Sequence, residues 1–64
     1  MVKVYIEKED KYENVEGNSV DEILKKLEIN PTTVMVTKNN ELVVGESEIK
    51  EGDEVKIIPV ISGG

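Results

Sequence analysis

The sequence predicts an α+β fold: one mixed sheet of four to five strands with a single helix packed across one face. Three observations predict it. Val2, Val4 and Ile6 alternate with Lys3, Tyr5 and Glu7 at the period of a half-buried strand. Val20, Ile23, Leu24 and Leu27 fall at i, i+3, i+4 and i+7, which makes one apolar helix face. Three later short apolar runs are separated by turn residues and have no second helix between them. In 64 residues the economical packing is one helix lying on one sheet.

The elements follow in order. After the first strand, Glu9-Asp10 is a polar turn, and Lys11 to Glu16 returns as a weaker strand carrying Tyr12 and Val15. Gly17-Asn18 closes this hairpin. Ser19 is the expected helix N-cap, with Glu22 three residues on to complete a capping box. Asp21 and Glu22 complement the positive end of the helix dipole, and Lys25 and Lys26 the negative end. Pro31 is expected to end the helix, because it pushes Asn30 toward extended geometry. That gives a helix of about ten residues, roughly 15 Å long. Thr33 to Lys38 is β-branched, with Val34 and Val36 on one face and Met35 and Thr37 on the other. Asn39-Asn40 suits a tight turn, since asparagine tolerates left-handed backbone. Leu42-Val43-Val44 is a short return strand that Gly45 ends. Glu46 to Asp53 is an acidic loop with Ile49 as a plug for the core, and Gly52-Asp53 is a turn signal. Val55, Ile57 and Ile58 form the last strand. Pro59 has no N–H for a sheet ladder, so pairing should weaken there on at least one side. The residues after it, 60–64, are expected to form a flexible tail on a single domain spanning 1–64, reaching roughly 16–18 Å if extended.

The first and last strands are the most apolar and are expected at the middle of the sheet. The helix between them in sequence allows a crossover, so they should be parallel neighbours. If Val4, Val36 and Ile57 face the helix, then Tyr5, Met35 and Ile58 face away. Exposed apolar clusters of this kind mark partner sites. Ile58, Val60 and Ile61 are candidate tail-side contacts with a partner.

Composition excludes several functions. The chain has eight basic and fourteen acidic residues, for a net charge of −6, and every basic residue is lysine. A phosphate-gripping basic face is not visible, so nucleic acid is not an expected ligand. There is no cysteine, hence no disulfide or thiolate metal site, which fits a reducing compartment such as the cytoplasm. The alternating start is unlike a signal peptide, and no run approaches the roughly 20 apolar residues of a membrane span. The acidic residues of 46–54 lack the order of a calcium loop. Without histidine or cysteine, no nucleophile–base set stands out, so the chain is not expected to be an enzyme. A monomer is expected.

Three features together resemble the ubiquitin-like sulfur carriers, that is, the ThiS and MoaD proteins and the small archaeal modifier proteins. One is the strand–strand–helix–strand order with Ser19-Val20-Asp21-Glu22 opening the helix. Another is Ile49-Lys50-Glu51-Gly52-Asp53-Glu54-Val55 leading into the last strand. The third is Gly63-Gly64 at the end of the sequence. Asn39-Asn40 stands where that family often has Asn-Gly. The resemblance implies a β-grasp, ubiquitin-like fold. It also implies that a separate ATP-dependent enzyme adenylates the carboxylate of Gly64, with no cofactor bound permanently by the carrier itself. The activated end is then converted to a thiocarboxylate for a sulfur-accepting synthase in thiamin or molybdopterin assembly, or is joined to target lysines. Gly63, Ser62 and Ile61 would line the enzyme's narrow channel. Glycine's missing Cβ lets backbone approach a nucleotide closely. The other class of function is a β-grasp binding module that docks through Tyr5, Met35 and Ile58 without activation.

Overall fold

The structure is a computed structural model and describes residues 1–60. Among these, five strands and one α-helix follow in the order β1 (Val2–Ile6), β2 (Lys11–Val15), α1 (Val20–Lys26), β3 (Val34–Lys38), β4 (Glu41–Val43) and β5 (Glu54–Pro59). A 3₁₀ turn, Pro31–Thr33, precedes β3. The sheet order is β2-β1-β5-β3-β4. β1 and β5 are parallel neighbours, as the helix crossover between them predicts, and the other pairs are antiparallel. This is the mixed sheet with one helix expected of a β-grasp.

The alternation of β1 is realised directly. Val2, Val4 and Ile6 are buried, and so are Val36, Val55 and Ile57 on the same sheet face. Val20, Ile23 and Leu24 of α1 close over them. Ile49 is 2% exposed, so the plug sits in the core. Its loop is docked rather than loose. Ile49 N–H donates to Asn18 O at 2.9 Å, while Val20 and Asp21 donate to the carbonyls of Ser47 and Gly45. The loop therefore satisfies helix-start donors that have no partner within the helix. Gly45 packs so close to the Asp21 carboxylate that a Cβ there would overlap it.

Helix α1 starts as expected and ends differently. Glu22 N–H donates to Ser19 Oγ at 3.3 Å, and the Glu22 side chain reaches back to the N–H of Asn18, one residue before the cap. The helix has seven residues instead of ten. Glu28 stops it, in the left-handed region with φ 58°. Ile29 N–H donates to Leu24 O and Glu28 N–H to Lys25 O, the paired bonds of a Schellman motif. Pro31 instead opens the 3₁₀ turn, capped by Asn30 accepting from Thr32 N–H at 3.0 Å. The β3–β4 turn matches its residues: Asn39 and Asn40 have φ 51° and 69°. Asn39 also ties this hairpin to β5. Its N–H donates to Glu54 O, its Oδ1 accepts from Glu54 N–H at 3.0 Å, and its Nδ2 donates to Asp53.

Candidate functional site

The route to the C-terminal residues is set by which way β5 points its hydrogen bonds. Asn39 donates to Glu54 O and Val60 N–H donates to Thr33 O at 2.9 Å. Residues 54, 56, 58 and 60 therefore bond toward β3, and 55, 57 and 59 point toward β1. On the β1 side the ladder ends at the Ile6–Ile57 pair, with Glu7 N–H donating to Ile57 O at 3.1 Å. Pro59 falls one step beyond, with its donorless nitrogen on the side where no strand remains. This is why a proline is tolerated in a strand that starts at the middle of the sheet. The expected weakening at Pro59 is thus confined to the β1 side. On the β3 side pairing continues through Pro59–Val34 and on to Val60, so Val60 is still tied to the body. Val60 is 43% exposed. A groove opens beside this exit, lined by Lys8, Glu9, Ile29, Asn30, Pro59 and Val60 among others. Ile61, Ser62, Gly63 and Gly64 lie outside the described residues.

The sheet face opposite α1 carries the other candidates. Met35 and Ile58 are register partners there, Met35 well exposed and Ile58 half-buried. Tyr5 is half-buried on the same face, with Lys56 in register beside it. The three side chains therefore share a face. Tyr5 also pairs with Tyr12 across β1 and β2, ring centroids 4.9 Å apart and tilted by 51°. Lys3 Nζ lies 4.6 Å above the Tyr12 ring centroid, and Lys56 Nζ lies 5.9 Å from that of Tyr5. The Tyr5 hydroxyl donates to the Asp10 carboxylate. That hydrogen bond pushes the Tyr5 pKa up to about 12, helped by partial burial and by the negative charges of Asp10 and Glu7. Lys3, Tyr12 and Lys56 were not singled out from sequence. Their signal was present in the alternation, since each is the outward neighbour of a buried or paired position.

The acidic loop resolves into a local latch. Asp53 Oδ2 accepts from Lys50 N–H at 2.8 Å, and its Oδ1 accepts from Asn39. These bonds hold the Asp53 carboxyl below its ordinary pKa, with Lys38 and Lys50 adding to the effect. Among the described residues, no group of three or more potential ligands is arranged to hold a metal. No described helix is long and apolar enough to cross a membrane.

The sheet order, the docked loop and the exit beyond Pro59 can be set against known proteins. The family model of the ThiS family matches residues 3–64. The chain belongs to the ThiS family. The match runs from β1 through Gly63-Gly64, beyond the last described residue. Two relatives of this ThiS-family chain span most of its length. The sulfur carrier protein TtuB of Thermus thermophilus is 39% identical over 57 residues, 88% of either chain. An uncharacterized protein of Archaeoglobus fulgidus is 50% identical over 50 residues, 78% of this chain and 73% of that one.

Proposed function

We propose that this protein carries sulfur on the carboxylate of Gly64. The observation that carries the reading is the ThiS-family match, which extends through the Gly-Gly pair. The 39% identity to a protein named as a sulfur carrier supports it.

The chemistry follows from the acid group. A carboxylate oxygen attacks the α-phosphorus of ATP on a separate activating enzyme, and pyrophosphate leaves. A sulfide-equivalent donor then attacks the acyl carbon, and AMP leaves with the electron pair of the broken C–O bond. One oxygen of Gly64 is thereby exchanged for sulfur, and a synthase of thiamin or molybdopterin assembly takes the sulfur from the thiocarboxylate. The carrier supplies placement and no catalytic group. Gly63 and Gly64, with no side chains, let the chain lie close to the nucleotide, with Ser62 and Ile61 following in the channel. Tyr5, Met35, Ile58 and Val60 form the docking surface. Lengthening the tail by one residue would move the acid about 3.3–3.6 Å, far outside the positioning that such transfers need. An exchange that consumes ATP, in a chain without cysteine, fits a cytoplasmic setting.

The test is mass spectrometry after incubation with the host's activating enzyme, ATP and a sulfur donor. Intact protein should gain the mass of a sulfur-for-oxygen exchange, and protein lacking Gly64 should not. No mass change with an enzyme shown to be active, or function surviving the deletion, would overturn the reading. Lysine-linked products would instead make the chain a protein modifier, activated at the same residue.

A further inference from the structure

We infer that the activating enzyme docks on the open sheet face through paired acidic side chains, received by Lys3 and Lys56 where they rest over the Tyr12 and Tyr5 rings. This rests on the carrier reading above and specifies the partner surface that it leaves open.

The inference starts from charge. The protein carries −6, yet two cations stand together on the open face, against the sign of the whole. Among the described residues, no carboxylate lies within ion-pairing distance of either one. Glu54 is in register beside Lys3 and does not pair with it. The Asp10 carboxylate on the same side is engaged by the Tyr5 hydroxyl. Of the other six lysines, three are used within the fold: Lys11 lies between Glu9 and Glu13, Lys50 meets Glu48, and Lys38 donates to Glu48 O. Lys3 and Lys56 are held by ring faces at 4.6 and 5.9 Å.

A ring face attracts an ammonium without accepting its N–H bonds along ordinary lone pairs. The donors stay available while the long side chain loses some of its freedom, so part of the ordering cost of binding is met in advance. Register places the two lysines one pleat repeat apart on adjacent strands, about 8 Å between backbones. Two acidic residues on one turn of helix, or alternating on one strand, match that spacing. An apolar side chain between them would rest on the tyrosine pair. A concave patch lined by Lys3, Tyr5, Tyr12, Thr37, Glu54 and Lys56 is already present to receive it. A nucleic acid fits less well. Two lysines release few counterions, and the acidic remainder of the chain repels an extended polyanion. A short acidic segment feels mainly local charge, because screening at physiological salt acts over about 8 Å.

The test compares Lys3→Glu/Lys56→Glu with Lys25→Glu/Lys50→Glu, an equal charge change placed off this face. Adenylation by the host's activating enzyme is followed through pyrophosphate release, and circular dichroism checks that both variants are folded. The open-face variant should raise KM for the carrier by about tenfold or more, which corresponds to about 1.4 kcal/mol, with kcat unchanged. Lys3→Met/Lys56→Met should fall between it and wild type, and the difference should shrink at high salt. Equal KM values for the two charge-reversed variants would overturn the inference. So would labelled RNA binding that is lost in the open-face variant while KM stays put. A wild-type protein that is not adenylated at all removes the carrier reading and this docking together. Normal wild-type adenylation with an unaffected open-face variant removes the docking alone.

Discussion

Asp53 uses both carboxylate oxygens as acceptors, one for Lys50 N–H and one for the Asn39 amide. Its folded-state pKa lies below the ordinary 3.8. The latch therefore adds stability above pH 3.8, and that addition is lost as pH falls through the lower folded value. Asp53→Asn should lower the urea midpoint at neutral pH, because its NH₂ must face a donor, and the deficit should shrink in acid. Tyr5 has the opposite sign. Its pKa is raised from 10.0 to about 12, so its contribution is complete below pH 10 and disappears as pH climbs toward 12. An ultraviolet phenolate titration should show a phase near that value, and Tyr5→Phe should remove it. Sequence reasoning placed Tyr5 on the open face and Asp53 in a turn, but it did not foresee the bonds that shift them. Gly52-Asp53 was visible as a turn, but the Asn39 side chain reaching it comes from fourteen residues away.

At the level of elements, α1 shows what local sequence encodes and what it leaves out. Its start was legible because Ser19 and Glu22 act through their own side chains on neighbouring N–H groups. Its end was not legible, because glutamate is an uncommon residue for left-handed backbone and Pro31 offered a plainer stop signal. The tertiary context holds Glu28 at φ 58° while Ile29 folds back toward the core. Glu28→Gly should relieve that conformation by about 1 kcal/mol. In a domain of this size that is a rise in melting temperature of about 4–8 °C, measurable by calorimetry. β1 and β5 were legible for a simpler reason. They are the most apolar strands, with Val2, Val4 and Ile6 alternating in β1 and Val55 and Ile57 in β5, and the parallel pairing followed from placing the helix between them. The mixed character of the open face was missed because reading only apolar residues ignored the lysines interleaved with them.

The whole molecule has a thin core, one contiguous cluster assembled from β1, β2, α1, β3, the 46–53 loop and β5. Ile23 and Leu24, at 1% and 3% exposure, are the helix's main contribution to it. Leu24→Ala should cost roughly 2–5 kcal/mol. Set against a typical total of about 5–15 kcal/mol, this should shift the denaturation midpoint severely or leave the protein unfolded, as circular dichroism would show. The candidate site was only partly legible at this scale. Gly63-Gly64 lies outside the described residues; the weakening at Pro59 could be read from sequence, whereas the direction of each β5 hydrogen bond required the sheet. The strand that leads to Gly64 is also the one that joins the two hairpins, since β5 separates β1 from β3. Neither hairpin can complete the sheet without it. Synthesis must therefore reach residue 59 before this sheet can close, because its middle strand is the last of the five to be made. A product cut short before β5 would leave the facing edges of β1 and β3 unpaired, and such a body would be open to proteolysis.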